Sequence, residues 1–188
     1  MESISLTDAE VSSLKGVEYF HSLTVLECYG NQLTALDVSH NPELEILVCP
    51  GNRIRVIDLS RNLNLHTLLI CGSRLTELNV NKNKKLETLS CDSSDFDTLN
   101  VSGLAELVYL ECLGNDMTSL STYGCVKPET VLCSRNRLTG LDLSGNTAPA
   151  VPDCSGNDID TLGWSIAPDW YSTSTRRSSE AATFPDPS

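Results

Sequence analysis

Eight cysteines offer the most chemistry in this sequence, as disulfide partners, metal ligands or nucleophiles, and their spacing has to be read before their number. Cys28, Cys49, Cys91, Cys112, Cys133 and Cys154 fall on one comb of period 21, with Ile70 in the empty tooth. Disulfide scaffolds are not spaced in this way, whereas repeats are. Cys in such a column behaves as a small buried hydrophobe where the interior is narrow. Neighbouring comb cysteines lie close enough for a bond, but parallel Cβ vectors suit the roughly 90° dihedral of a disulfide poorly. Reduced thiols are therefore expected. Two cysteines stand off the comb: Cys71, one residue past Ile70 at an outward position, is the candidate reactive thiol, and Cys125 fills the second Asn slot of its repeat. His21, His40 and His66 have no ligand-like spacing, and no nucleophile constellation is present. Asp92, Asp95 and Asp97 make a local acidic cluster that could attract a cation, although surface carboxylates are usually solvated. No catalytic residue, metal or cofactor is expected.

The comb exists because the chain repeats. Seven units run in register from Leu23 to Leu162, starting at Leu23, Leu44, Leu65, Leu86, Leu107, Pro128 and Pro149, the last three more worn. Their template is LxxLxCxxNxLTxLDVSxNxx. In LxxLxC the Leu, Leu and Cys side chains point into a core and the residues between them point outward, with the period of two of a strand. Stacked coils make a parallel sheet. The Asn of CxxN (Asn31, Asn52, Asn115, Asn136, Asn157) sits where the chain leaves the strand, and its amide can donate to and accept from backbone groups of adjacent coils. Ser73 and Ser94 replace it in the middle repeats, so that bend is expected to be less well satisfied there. The second half, LTxLDVSxN, adds interior Leu and Val but is too short for a long helix, which leaves extended or 3₁₀ structure on the convex side.

A chain of 188 residues with 40% hydrophobic residues suffices for one domain with a core. A formal net charge of -12 argues against nucleic acid or an anionic membrane surface as partner. No apolar run approaches the length of a membrane span, so no membrane insertion is expected.

The 21-residue unit with Cys in the strand and an LTxLDVSxN second half resembles the cysteine-ladder leucine-rich repeats of the internalin J-like bacterial proteins, over roughly three quarters of the chain. The resemblance implies a right-handed α/β-type repeat solenoid with a parallel sheet on its concave face. SLTDAEVSSLKGVEYFHSL resembles the opening segment of such domains. Thr7 and Asp8, with Glu10 three residues after Thr7, look like a capping box, so residues 1–22 are expected to form a short helical cap with Val11, Leu14, Val17 and Phe20 over the open core. The expected organisation is that cap, seven repeats over 23–162, and a C-terminal cap remnant and disordered tail over 163–188, in which Trp164, Ile166, Trp170 and Tyr171 fold back on the last coil.

The resemblance also implies a secreted or surface-anchored protein engaged in recognition. Met1 is not followed by a secretory leader, and no wall-anchoring tail or immunoglobulin-like segment follows the repeats. A secreted or cell-surface location is thus expected if the chain is an excerpt of a longer protein, and a cytoplasmic one otherwise.

Solenoids usually bind through the strand face, because it is rigid and its outward side chains vary without disturbing the core. Val25, Glu27, Tyr29, Ile46, Val48 and Leu69 form one candidate area and Tyr109, Glu111, Leu113 and Leu132 a second. The expected function is non-catalytic recognition of a protein or glycan by a monomer on this face. The alternative is an intracellular scaffold or effector that mediates protein–protein interaction.

Overall fold

The LxxLxC half of each unit becomes a strand because its alternating pattern can bury one face while its backbone pairs with the coils on either side. The computed structural model describes residues 2–146 and 151–164. It contains β1 (Ser3–Ser5), β2 (Val25–Glu27), β3 (Ile46–Val48), β4 (Thr67–Leu69), β5 (Thr88–Ser90), β6 (Thr98–Asn100), β7 (Tyr109–Glu111), β8 (Ser119–Ser121), β9 (Thr130–Leu132), β10 (Gly140–Leu143), β11 (Val151–Asp153) and β12 (Thr161–Trp164). One eight-stranded parallel sheet runs β1-β2-β3-β4-β5-β7-β9-β11. The coils form a parallel solenoid in which each residue sits beside its template equivalent one coil away.

The second half of the unit crosses back on the other side of the core. In the later coils it forms two short parallel pairs, β6 with β8 and β10 with β12. In the earlier coils single bonds tie it to its neighbours, as where the Arg53 amide donates to the Leu33 carbonyl and the Arg74 amide to Ile54, at 2.8 and 2.9 Å. Both halves feed one core of stacked columns. Leu26, Leu47, Leu68, Leu89, Leu110 and Val131 are one column, and Leu33, Ile54, Leu75, Phe96, Met117 and Leu138 another, all buried.

The cysteine comb is a column of the same kind. Cys28, Cys49, Cys91, Cys112 and Cys133 are buried together with Ile70, Cys154 is half-buried near the end, and all eight cysteines are free thiols. Burial pushes the Cys133 thiol up to about 12 and those of Cys91 and Cys112 well above the usual thiol range.

Two asparagine columns satisfy the backbone at the bends. Asn52 donates to the carbonyls of Cys28 and Cys49 at 2.9 and 3.0 Å and accepts from the Leu33 amide at 3.0 Å. Asn115, Asn136 and Asn157 repeat the pattern. Ser73 and Ser94 cannot reach as far, and their buried hydroxyls have no hydrogen-bond partner. The second column was visible in the sequence only as a spacing. There Asn41, Asn62 and Asn83 are fully buried, and Asn62 donates to the Val38 and Asn41 carbonyls at 2.9 Å each. Cys125 takes the same slot, with its thiol 3.1 Å from the Val101 carbonyl. Between each strand and the first Asn the backbone turns left-handed, at Gly51 (φ 66) and Gly72 (φ 62), for example, but also at Ser93 (φ 52) and Arg135 (φ 57).

The expected helical cap is corrected. No α-helix occurs among the described residues, and the only helical turn is a 3₁₀ segment at Val17–Tyr19. Residues 3–5 instead add a strand to the sheet edge, with Ser3, Ile4 and Ser5 opposite Val25, Leu26 and Glu27. The capping-box pattern loses because the sheet edge offers better partners. The amides of Leu6 and Asp8 donate to the Glu27 and Tyr29 carbonyls at 2.8 and 3.0 Å, and Asn31 Oδ1 accepts from the Ala9 and Val11 amides. Asp8 (φ 49) and Glu10 (φ 55) take left-handed conformations that a helix forbids. The covering role still falls to the expected residues: Val17 is buried, and Val11, Leu14 and Phe20 pack against the core with Ile4. The expected backfolding of Ile166, Trp170 and Tyr171, and the tail beyond them, lie outside the described residues, as does the side chain of Trp164.

Candidate functional site

The outward positions of the main sheet form two rows fixed by strand register. Row one is Ser3, Val25, Ile46, Thr67, Thr88, Tyr109 and Thr130; row two is Ser5, Glu27, Val48, Leu69, Ser90, Glu111, Leu132 and Asp153. Beyond the strand ends a third line carries Tyr29, Pro50, Cys71, Asp92 and Leu113. The structure brings the first candidate area together. Val25 lies opposite Ile46, Val48 stands between Glu27 and Leu69, all five are half-buried, and Tyr29 is exposed beside them. In the second area Tyr109, Glu111 and Leu132 occupy neighbouring strands with Leu113 just past β7.

Between the two areas lies a polar seam that sequence reasoning saw only in pieces. Cys71 Sγ is 2.8 Å from Ser90 Oγ, and Ser90 Oγ donates to Glu111 Oε2 at 2.7 Å. Ser90 is 4% exposed, so this row-two hydroxyl is covered by its neighbours on the strand face. Asp92 Oδ1 accepts from the Leu113 amide at 2.8 Å, and the Asp92 carboxyl lies close enough to Glu111 to feel its charge. Burial, followed by the Glu111 charge, pushes Asp92 up to about 6 despite the Leu113 amide. Burial and the same Glu111 carboxylate raise the Tyr109 phenol. The signal that could have found this seam was the template itself, which sets Cys71, Ser90, Asp92 and Glu111 on facing positions of three consecutive strands. A period of two gives each residue its face but not which polar side chains meet between coils.

The acidic cluster is not assembled as the sequence suggested. Asp92 is engaged on the strand face, whereas Asp95 and Asp97 are exposed past the bend at Ser94. Among the described residues no group of three or more His, Cys, Asp and Glu side chains is placed to hold a metal. His21, His40 and His66 stay apart: His21 meets the His40 carbonyl, and His66 lies 4.0 Å from Glu45.

Comparison with solved structures agrees with this geometry. The functional domain of InlJ from Listeria monocytogenes, which includes a cysteine ladder, superposes with a TM-score of 0.69 at 25% identity over 85% of this chain. The fold is an internalin J-like leucine-rich-repeat solenoid. This internalin J-like chain spans 40% of the length of that domain. An internalin, InlF, from the same organism (17% identity, 87% of this chain and 67% of that one, TM-score 0.48) and the leucine-rich-repeat domain of APL1B (16%, 78% and 59%, TM-score 0.49) are more distant. No protein-family model and no curated protein matches the sequence. Among the described residues no helix is long and apolar enough to cross a membrane.

Proposed function

We propose that this chain is a non-catalytic recognition module of a bacterial surface or secreted protein and that it binds a protein or glycan on the exposed face of the eight-stranded sheet. The observation that carries the reading is the aliphatic area Val25, Ile46, Val48 and Leu69, contiguous across three strands and left half-exposed while Leu26, Leu47 and Leu68 of the same strands are buried. Apolar surface gathered on a rigid sheet is a feature of interaction sites, because its burial by a partner is favourable and costs little backbone ordering. Tyr29 and Tyr109 add amphipathic rings, and Glu27 and Glu111 polar contacts. The likeness to InlJ supports a surface or secreted setting.

The test is a capture experiment on host-cell and bacterial-envelope extracts with the wild-type chain and a Val48→Glu, Leu69→Glu variant side by side. Both positions point outward, so the variant is expected to fold. A partner held by the wild type and lost by the variant supports the reading; a partner held equally by both removes it.

A further inference from the structure

The strand face has a polarity along the solenoid. Its first strands carry the aliphatic area, while Asp92, Glu111 and Asp153 stand farther along and Glu27 at the near margin. No Lys, Arg or His occupies either row or the third line, although the chain has 13 Lys and Arg residues. The ion pairs of the described residues lie elsewhere, at His66 and Glu45, Lys127 and Glu106, and Arg137 and Asp116. Asp92 is faced by Cys71 from the preceding coil and by Tyr109, Glu111 and Cys112 from the following one, none of them cationic at neutral pH. Two carboxyl groups are thus held together, partly desolvated, with hydrogen-bond donors on one side and an open face on the other.

From this arrangement we infer that the strand face takes an extended polypeptide segment of the pattern apolar-x-apolar-x-cation, laid across the coils with its aliphatic side chains over Ile46, Val48 and Leu69 and its Lys or Arg at the Asp92 and Glu111 pair. The inference deepens the reading above and rests on it. Its spacing follows from the sheet: β3 to β7 is three strand intervals, about 14 Å at about 4.8 Å each. In an extended segment, whose side chains alternate, residues i and i+4 lie on one side about 13 Å apart. The partner's charge follows from complementarity, because a cation placed there favours the ionised carboxylates that burial and the Glu111 charge oppose, whereas an acidic segment would add repulsion. Aliphatic side chains, more than sugar rings studded with hydroxyl groups, match a row of Val, Ile and Leu.

The experiment uses the whole chain and labelled eight-residue peptides with the order Leu-x-Leu-x-Lys, the same peptide with Glu for Lys, and a scrambled order, read by fluorescence anisotropy. The Lys peptide is expected to bind the wild type about five- to tenfold more tightly than the Glu peptide or the scramble. That preference should weaken between about pH 7.5 and about pH 5 as Asp92 takes up its proton. An Asp92→Asn, Glu111→Gln variant, with circular dichroism confirming the fold, is expected to lose both the preference and its pH dependence. Equal binding of the Lys and Glu peptides, a preference kept by the amide variant, or no binding of any peptide would overturn the inference. Equal peptide binding that Val48→Glu abolishes would leave the strand face as the site without charge selection, so the earlier reading stands. That reading fails separately, if the extract partner ignores Val48→Glu, Leu69→Glu.

Discussion

Asn52 Nδ2 donates to the Cys28 carbonyl of the preceding coil at 2.9 Å while the same side chain accepts from the Leu33 amide, so one amide bridges two coils at the point where the strand ends. The same contact recurs between Asn136 and Cys112 and between Asn157 and Cys133. The column is what lets a 21-residue unit turn sharply while buried, because the backbone groups of the bend have no water to meet.

Asn52→Ala is accordingly expected to cost about 2–3 kcal/mol, since it strands buried backbone partners in addition to removing the amide. Urea denaturation measures it. A loss comparable to that of an exposed substitution such as Gln32→Ala would mean that the bends hold themselves.

The reverse change is available where the column is broken. Ser73→Asn and Ser94→Asn should each stabilise the chain by about 1 kcal/mol, because the hydroxyls they replace have no hydrogen-bond partner. Next to Ser94, Ser93→Gly should add a comparable amount by relieving a left-handed backbone (φ 52) that a side chain disfavours. Unchanged midpoints for all three would show that these coils have relaxed around serine.

Asp92 gives a pH signature. Its folded-state value is raised to about 6 from an ordinary 3.8, so its contribution to stability is fully present below the ordinary value and is lost as pH rises through about 6. Asp92→Asn mimics the protonated group. The variant should match the wild type near about pH 4 and exceed it in stability above about pH 7, with the difference opening between those values. A difference that stays flat across this window would show that burial and the Glu111 charge do not raise Asp92.

The thiols should separate by position. In native protein, iodoacetamide is expected to label Cys71 first, because it is half-exposed on the strand face, whereas Cys91 and Cys112 are fully buried with their thiolates disfavoured by burial. Mass spectrometry of partially labelled protein reads the order. Labelling of Cys91 or Cys112 as fast as Cys71 would mean that the coils open readily.

The repeat itself was legible in the sequence, because a stacked coil imposes one environment per template position and so writes its period into residue types. Leu26, Leu47 and Leu68, the cysteine comb and the Asn of CxxN each repeat because each meets its own equivalent one coil away. Outward residues such as Val25, Ile46, Val48 and Leu69 could be assigned to a face for the same reason. The cap was not legible: Thr7, Asp8 and Glu10 have local preferences that suit a helix start, but a neighbouring strand edge with unpaired carbonyls at Glu27 and Tyr29 outweighs them. Nor was the contact of Cys71, Ser90, Asp92 and Glu111, whose members lie 19 to 21 residues apart in the hydrogen-bonded pairs and meet only because the coils stack in register. Periodicity determined which residues face outward and which are buried. Which of the outward ones touch, and whose charge shifts as a result, was decided by the tertiary structure, because distance and desolvation are properties of neighbours and not of a residue's place in its own repeat.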